Sequence, residues 1–135
     1  MSNNTYRLLL KSSFQESEKV PAFVSEIQQK EGLNDEDTGK LMLALSEAVS
    51  NAIVHGNRED STKEVQTEVL IRTGEIVSLV KDEGKGFNPE EADDPLKEEN
   101  LLKEGGRGIF LIRQICDEVE FRDGGRTICF VVTRS

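Results

Sequence analysis

The chain has little of what metal-held and disulfide-held folds are built from: two cysteines, Cys116 and Cys129, and one histidine, His55, in 135 residues. Three such side chains cannot close the usual four-ligand zinc site. Cys116 ends an apolar helical run and Cys129 lies inside an apolar strand, so both are expected as small core residues in a reducing compartment. No apolar run reaches the ~18 residues that a membrane-spanning helix needs. The start, MSNNTYRLLLKSS, lacks the basic end, long apolar stretch and small-residue cleavage site of a secretory signal, and the expected location is the cytoplasm, away from membranes. Positive charge is also scarce: 17 Lys and Arg face 26 Asp and Glu, for a net charge of −9. That balance disfavours direct nucleic-acid binding and suits a basic protein partner. A G-x-x-x-x-G-K-[ST] string is missing, which removes the P-loop enzymes. Repeats and low-complexity tracts are missing too.

What is present is one domain's worth of globular sequence, 36% hydrophobic and 32% charged, and residues 1–135 are expected to form a single domain. Residues 5–11 are apolar enough for a strand, closed by Ser12-Ser13. Val20, Phe23, Val24 and Ile27 fall at helical spacing within residues 16–30, with Pro21 admissible only in the first turn and Gly32 as the stop. Asn34 or Asp35 can cap a second helix whose apolar face is Leu41, Leu45, Ala48, Val49, Ala52 and Ile53, ending at Gly56-Asn57. Two β-rich runs, residues 65–72 and 76–81, flank Thr73-Gly74-Glu75 and predict an antiparallel hairpin.

Residues 88–104 have no steady period, contain Pro89 and Pro95, and carry seven acids against Lys97 and Lys103. A long loop in so small a domain is expected to be a lid or binding segment. A helix then starts near Ile109, and residues 118–122 and 127–133 form a closing hairpin about Asp123-Gly124-Gly125. The pattern predicts an α+β two-layer sandwich, a mixed, mostly antiparallel sheet with helices packed on one face.

Three constellations carry chemistry. Glu47, Asn51 and His55 recur at four-residue steps and so share one stripe of the second helix. An amide oxygen such as that of Asn51 is a hard ligand suited to Mg²⁺, and Glu47 one turn earlier can take a proton from an attacking hydroxyl. His55, at the helix end, suits an interaction with the last carbonyls. The second constellation is Asp82-Glu83-Gly84-Lys85-Gly86-Phe87, at a strand end. Its spaced glycines permit positive φ and close approach of a ligand, and its acid can accept from an exocyclic amine. The third is Gly105-Gly106-Arg107-Gly108, opening a helix whose free N–H groups and positive end form an anion site.

Taken in this order, the chain resembles the Bergerat-fold ATPase superfamily of gyrase, heat-shock chaperones, histidine kinases and MutL. E-x-x-x-N resembles its N box, D-E-G-K-G-F its first glycine box and G-G-R-G-I its second. The L-x-L-x-x-x-E-A-V-x-N-A-x-x-H-G pattern and the D-E-V-E-F strand are most similar to bacterial anti-sigma factors that are also serine/threonine protein kinases. The resemblance implies ATP and Mg²⁺ as cofactors, Glu47 as general base and Asn51 as Mg²⁺ ligand. It also implies Asp82 as the adenine contact and Gly84, Gly86, Phe87, Gly105, Gly106, Arg107 and Gly108 around the nucleotide, under a lid at about residues 88–107. Arg107 departs from the uncharged residue of many relatives, and its contact is open among phosphate, lid and partner.

The function so implied is phosphorylation of an anti-sigma-factor antagonist together with sequestration of a sigma factor, in a homodimer. Two alternatives stand beside it. One is a catalytically silent, nucleotide-binding sequestering module; the other is the detached catalytic part of a histidine kinase, which would take its phosphoacceptor from another chain.

Overall fold

The computed structural model describes residues 4–84 and 106–134. Strand β1 (Asn4–Lys11) leads through a 3₁₀ turn (Phe14–Glu18) into helices α1 (Lys19–Glu31) and α2 (Asp35–Asn51). Strands β2 (Glu64–Arg72) and β3 (Glu75–Lys81) follow, and helix α3 (Gly106–Ile115) precedes β4 (Glu118–Arg122) and β5 (Thr127–Thr133).

The strands form one sheet in the order β1-β2-β3-β5-β4, and every neighbouring pair is antiparallel. No parallel pair occurs among the described residues, so the mixed element of the expected sheet gives way to hairpins and antiparallel neighbours. The β2–β3 turn is tighter than expected: Arg72 pairs with Glu75, leaving Thr73-Gly74 as a two-residue loop. Gly74 supports it with φ +86°, a conformation that costs a residue with a Cβ.

Alternation gives the sheet two unlike faces. Val65, Val69 and Ile71 of β2, Ile76 and Val80 of β3, and Ile128, Phe130 and Val132 of β5 are buried. They join Leu41, Leu45, Val49 and Ile53 of the α2 region and Val20, Phe23, Val24 and Ile27 of α1 in one core. Helix α2 packs on β3 and β5, while α1 and α3 flank α2, so the three helices form one layer. Fully burying a Leu, Ile or Val side chain contributes ~1.5–3 kcal/mol, and this core is the main source of stability. Cys129 is buried, but on the outer face of the sheet beside Leu79 and Val131 rather than in the core, because it alternates with the inward-facing Ile128 and Phe130. Cys116, half-buried at the end of α3, packs against the core. Burial pushes the Cys116 thiol up to about 12, with Asp117 adding to the shift.

Two helix boundaries differ from the pattern. Helix α1 begins at Lys19 rather than Glu16, because Pro21 has no N–H to give the carbonyl of Ser17 and its ring crowds that carbonyl. Helix α2 starts as expected, with Asn34 Oδ1 accepting from Asp37 N–H at 2.7 Å and three acids in the first turn complementing the helix dipole. It ends differently: the last turn, Ala52–Gly56, widens to a π-helix closed by Asn57 N–H donating to the Ala52 carbonyl at 2.8 Å. No described helix is long and apolar enough to cross a membrane.

Candidate functional site

The α2 stripe that begins at Glu47 organises the site. Asn51, one turn on, has a buried Oδ1 with no hydrogen-bond partner. A buried carbonyl oxygen left unpaired costs ~1–3 kcal/mol, and a hard cation brought in with a ligand would satisfy it. Among the described residues no group of three or more His, Cys, Asp or Glu could cage a metal. Mg²⁺ is usually held by one or two protein oxygens together with phosphate and water, and Asn51 Oδ1 could supply one of them.

The first turn of α3 lies against the carboxylate of Glu47. A Cβ on Gly108 would stand 3.0 Å from Glu47 Oε2, so glycine is what allows this approach. The start of a helix, whose free N–H groups can hold an anion, is thereby set beside the Glu47 carboxylate.

At the other end of the stripe the π-turn carries Gly56 against Asp82, which follows β3 and is 8% exposed. A Cβ at Gly56 would fall 2.4 Å from Asp82 Oδ2, and one at Gly84 would fall 1.9 Å from the Gly56 carbonyl oxygen. Gly84 does not adopt positive φ among the described glycines. Its missing side chain admits the end of α2, which corrects the expectation that left-handed backbone is what it supplies. Asp82 Oδ1 accepts from Gly84 N–H at 2.8 Å. Burial raises the Asp82 carboxyl above its ordinary range, while the Gly84 N–H, Arg126 and Lys63 pull the other way. The result is a carboxylate with one oxygen fixed and its other beside the tip of the stripe, suited to an amine donor.

Glu47, Asn51, Asp82, Gly84 and Gly108 therefore lie along one helix stripe and its two ends. Gly86, Phe87, Gly105, residues 88–104 of the lid and the side chain of Arg107 lie outside the described residues, and Gly106 begins α3. His55 is half-buried in the π-turn.

Two supporting residues were not legible as such. Asn57 signalled only a helix stop, yet it is 1% exposed. Its Oδ1 accepts from Glu83 N–H at 2.7 Å, while its Nδ2 donates to Ser12 Oγ at 2.6 Å and to the Glu64 carbonyl at 3.0 Å. Arg126, just after a turn, donates from Nε to the Gly84 carbonyl at 2.7 Å.

Residues 12–132 match the family model described as the histidine kinase-like ATPase domain. The chain belongs to the histidine kinase-like ATPase family. It is 30% identical over 112 residues to serine-protein kinase RsbW of Bacillus licheniformis, covering 78% of this chain and 70% of that one. It is 38% identical over 102 residues to the anti-sigma F factor of a Geobacillus species, covering 74% and 67%. The solved structure of the RsbU and RsbW domains of a Mycobacterium tuberculosis protein superposes with a TM-score of 0.66 at 17% identity. That match covers 97% of this chain but 31% of the other, and it shows the shared family fold. The family match spans β2, β3 and all three helices, and with them the described site from Glu47 to Gly108.

Proposed function

We propose that the chain is an anti-sigma regulatory factor with serine protein kinase activity, which uses ATP and Mg²⁺ to phosphorylate an anti-sigma-factor antagonist and otherwise sequesters a sigma factor. The observation that carries this reading is the stripe of α2: a carboxylate at Glu47 and an orphaned amide oxygen at Asn51, with the start of α3 laid across the first. The names of the two sequence relatives support the protein-kinase and anti-sigma parts. The net charge of −9 suits a basic docking surface.

Asp82 accepts from the adenine amine, and the start of α3 holds the phosphates. Glu47 takes the proton of the partner's serine hydroxyl as that oxygen forms its bond to the γ-phosphorus. The bond from the γ-phosphorus to the β–γ bridging oxygen breaks, and ADP leaves carrying that electron pair. Asn51 would hold Mg²⁺, which when bound would neutralise the phosphate charge.

The cytoplasm and a homodimer belong to the same reading. The outer sheet face supports a second copy: Leu70, Val77, Leu79 and Val131 line a shallow cavity of about 320 Å³, edged by acids and arginines of both signs. A patch with both charges can complement itself across a two-fold axis.

The deciding experiment incubates the chain with labelled ATP, Mg²⁺ and candidate antagonist proteins. The wild type is expected to label a serine, and Glu47→Ala to bind ATP but transfer roughly 10²–10⁴-fold more slowly. Normal transfer by a folded Glu47→Ala protein overturns the base assignment. ATP binding without transfer to any antagonist favours the pure sequestering module.

A further inference from the structure

The segment Asp82–Gly84 is held far more completely than a strand-end loop requires. Its three consecutive N–H groups are all consumed inside the protein. Asp82 N–H donates to the Arg126 carbonyl at 2.9 Å, Glu83 N–H to Asn57 Oδ1 at 2.7 Å and Gly84 N–H to Asp82 Oδ1 at 2.8 Å. The Gly84 carbonyl accepts from Arg126 Nε at 2.7 Å. None of these donors is left for a ligand, so the segment meets a base amine with acceptors, of which the second oxygen of Asp82 is the charged one.

Where that oxygen stands is set from two sides. On the core side, Asn57 uses its whole amide to tie Glu83 to Ser12, after β1, and to Glu64, at the start of β2. Its own N–H closes the π-turn that brings Gly56 against Asp82. On the open side, Arg126 bridges the segment at both ends, by its carbonyl to Asp82 and by its guanidinium to Gly84.

The geometry points to Asn57 and Arg126 as positioning residues that set the preference for an adenine over a guanine nucleotide, an inference that rests on the nucleotide reading above. Adenine presents an amine where guanine presents a carbonyl, so a carboxylate oxygen fixed at that place attracts the first and repels the second. A carboxylate free to swing loses the distinction, because ordering it then costs binding energy that a preorganised group has already met.

The test measures ATP and GTP affinity by calorimetry, with Mg²⁺, for the wild type, Arg126→Met and Asn57→Ala. Arg126 is exposed, so its variant is expected to fold even if the buried Asn57→Ala does not. Each folded variant is expected to lose roughly tenfold in ATP affinity, the scale of one hydrogen bond to a charged group, with GTP affinity nearly unchanged. The ATP-to-GTP ratio then collapses, which a general loss of stability would not cause. A ratio unchanged in Arg126→Met, or ATP and GTP weakened together, overturns the positioning role while leaving the nucleotide site standing. A wild type that binds neither nucleotide overturns both.

Discussion

Helices α1 and α2 both run into a glycine, and the two glycines do opposite things. Gly32 follows α1 in the left-handed conformation, φ +67°, with the Gln28 carbonyl accepting from both Gly32 and Leu33 N–H. The space around it is open: beyond its own chain neighbours, no heavy atom stands within 4 Å of where a Cβ would be. Gly56, in the π-turn after α2, has no left-handed φ and no space: the Asp82 carboxyl fills the position of its Cβ. One glycine is chosen for backbone freedom and the other for closeness. The first ends a helix; the second lets a helix end become the wall of a site.

The comparison breaks most severely at the residue facing Gly56. A methyl at Gly84 would meet the backbone oxygen of Gly56 at 1.9 Å, and a backbone cannot turn aside as a side-chain tip can. Gly84→Ala is expected to destabilise the fold by about 3 kcal/mol or more. Gly56→Ala collides instead with the side chain of Asp82. It is expected to cost ~1–3 kcal/mol in stability and to weaken ATP binding at least as much as loss of the Asp82 contact does. Denaturant unfolding and calorimetry on both variants check this. Wild-type behaviour in both would mean that the helix end is free to withdraw from Asp82.

Asp82 sharpens the comparison through pH. Its folded-state pKa is raised, mainly by burial, from the ordinary 3.8. For an acid with a raised folded pKa, ionisation costs the folded state: stability falls as pH rises from the unfolded value through the folded one, and the whole cost is present above both. Asp82→Asn, which can still accept from Gly84 N–H, is therefore expected to flatten this fall in thermal melts as pH rises above the ordinary carboxylate range. It is also expected to lose ATP affinity. With the amide oxygen on Gly84, the NH₂ group faces the adenine amine, donor against donor, at ~1–3 kcal/mol. Parallel melting curves for the two proteins would remove the burial cost.

Periodicity made the first of the two helix ends legible and only half of the second. The apolar face of α2 and the Glu47–Asn51 step could be read because helical neighbours are close in sequence. Gly56-Asn57 was legible as a stop, since such pairs commonly end helices. The π-turn was not, because five residues cannot separate a widened turn from an ordinary one by spacing. The hub at Asn57 was hidden for a different reason: its partners Ser12 and Glu83 lie 45 and 26 residues away, and Arg126 meets Gly84 across 42. Such pairings are made by the sheet order β1-β2-β3-β5, which no local pattern encodes.

The mildest substitution isolates what the first glycine does. Gly32→Ala places a Cβ in open space, so the only cost is the left-handed backbone, which disfavours a residue with a side chain by ~1–2 kcal/mol. Part of that is offset, because alanine has less backbone freedom to lose on folding than glycine. The expected net loss is about 1 kcal/mol, and Gly32→Asn, better tolerated in that conformation, is expected to recover part of it. Neither change reaches Asp82, Asn51 or Glu47, so ATP affinity and phosphoryl transfer by the folded variants should equal those of the wild type. Unfolding midpoints and ATP calorimetry on the pair decide the point. An ATP affinity that falls with Gly32→Ala would show the two helix ends to be coupled through α2, and the division between a capping glycine and a site-building glycine would fail.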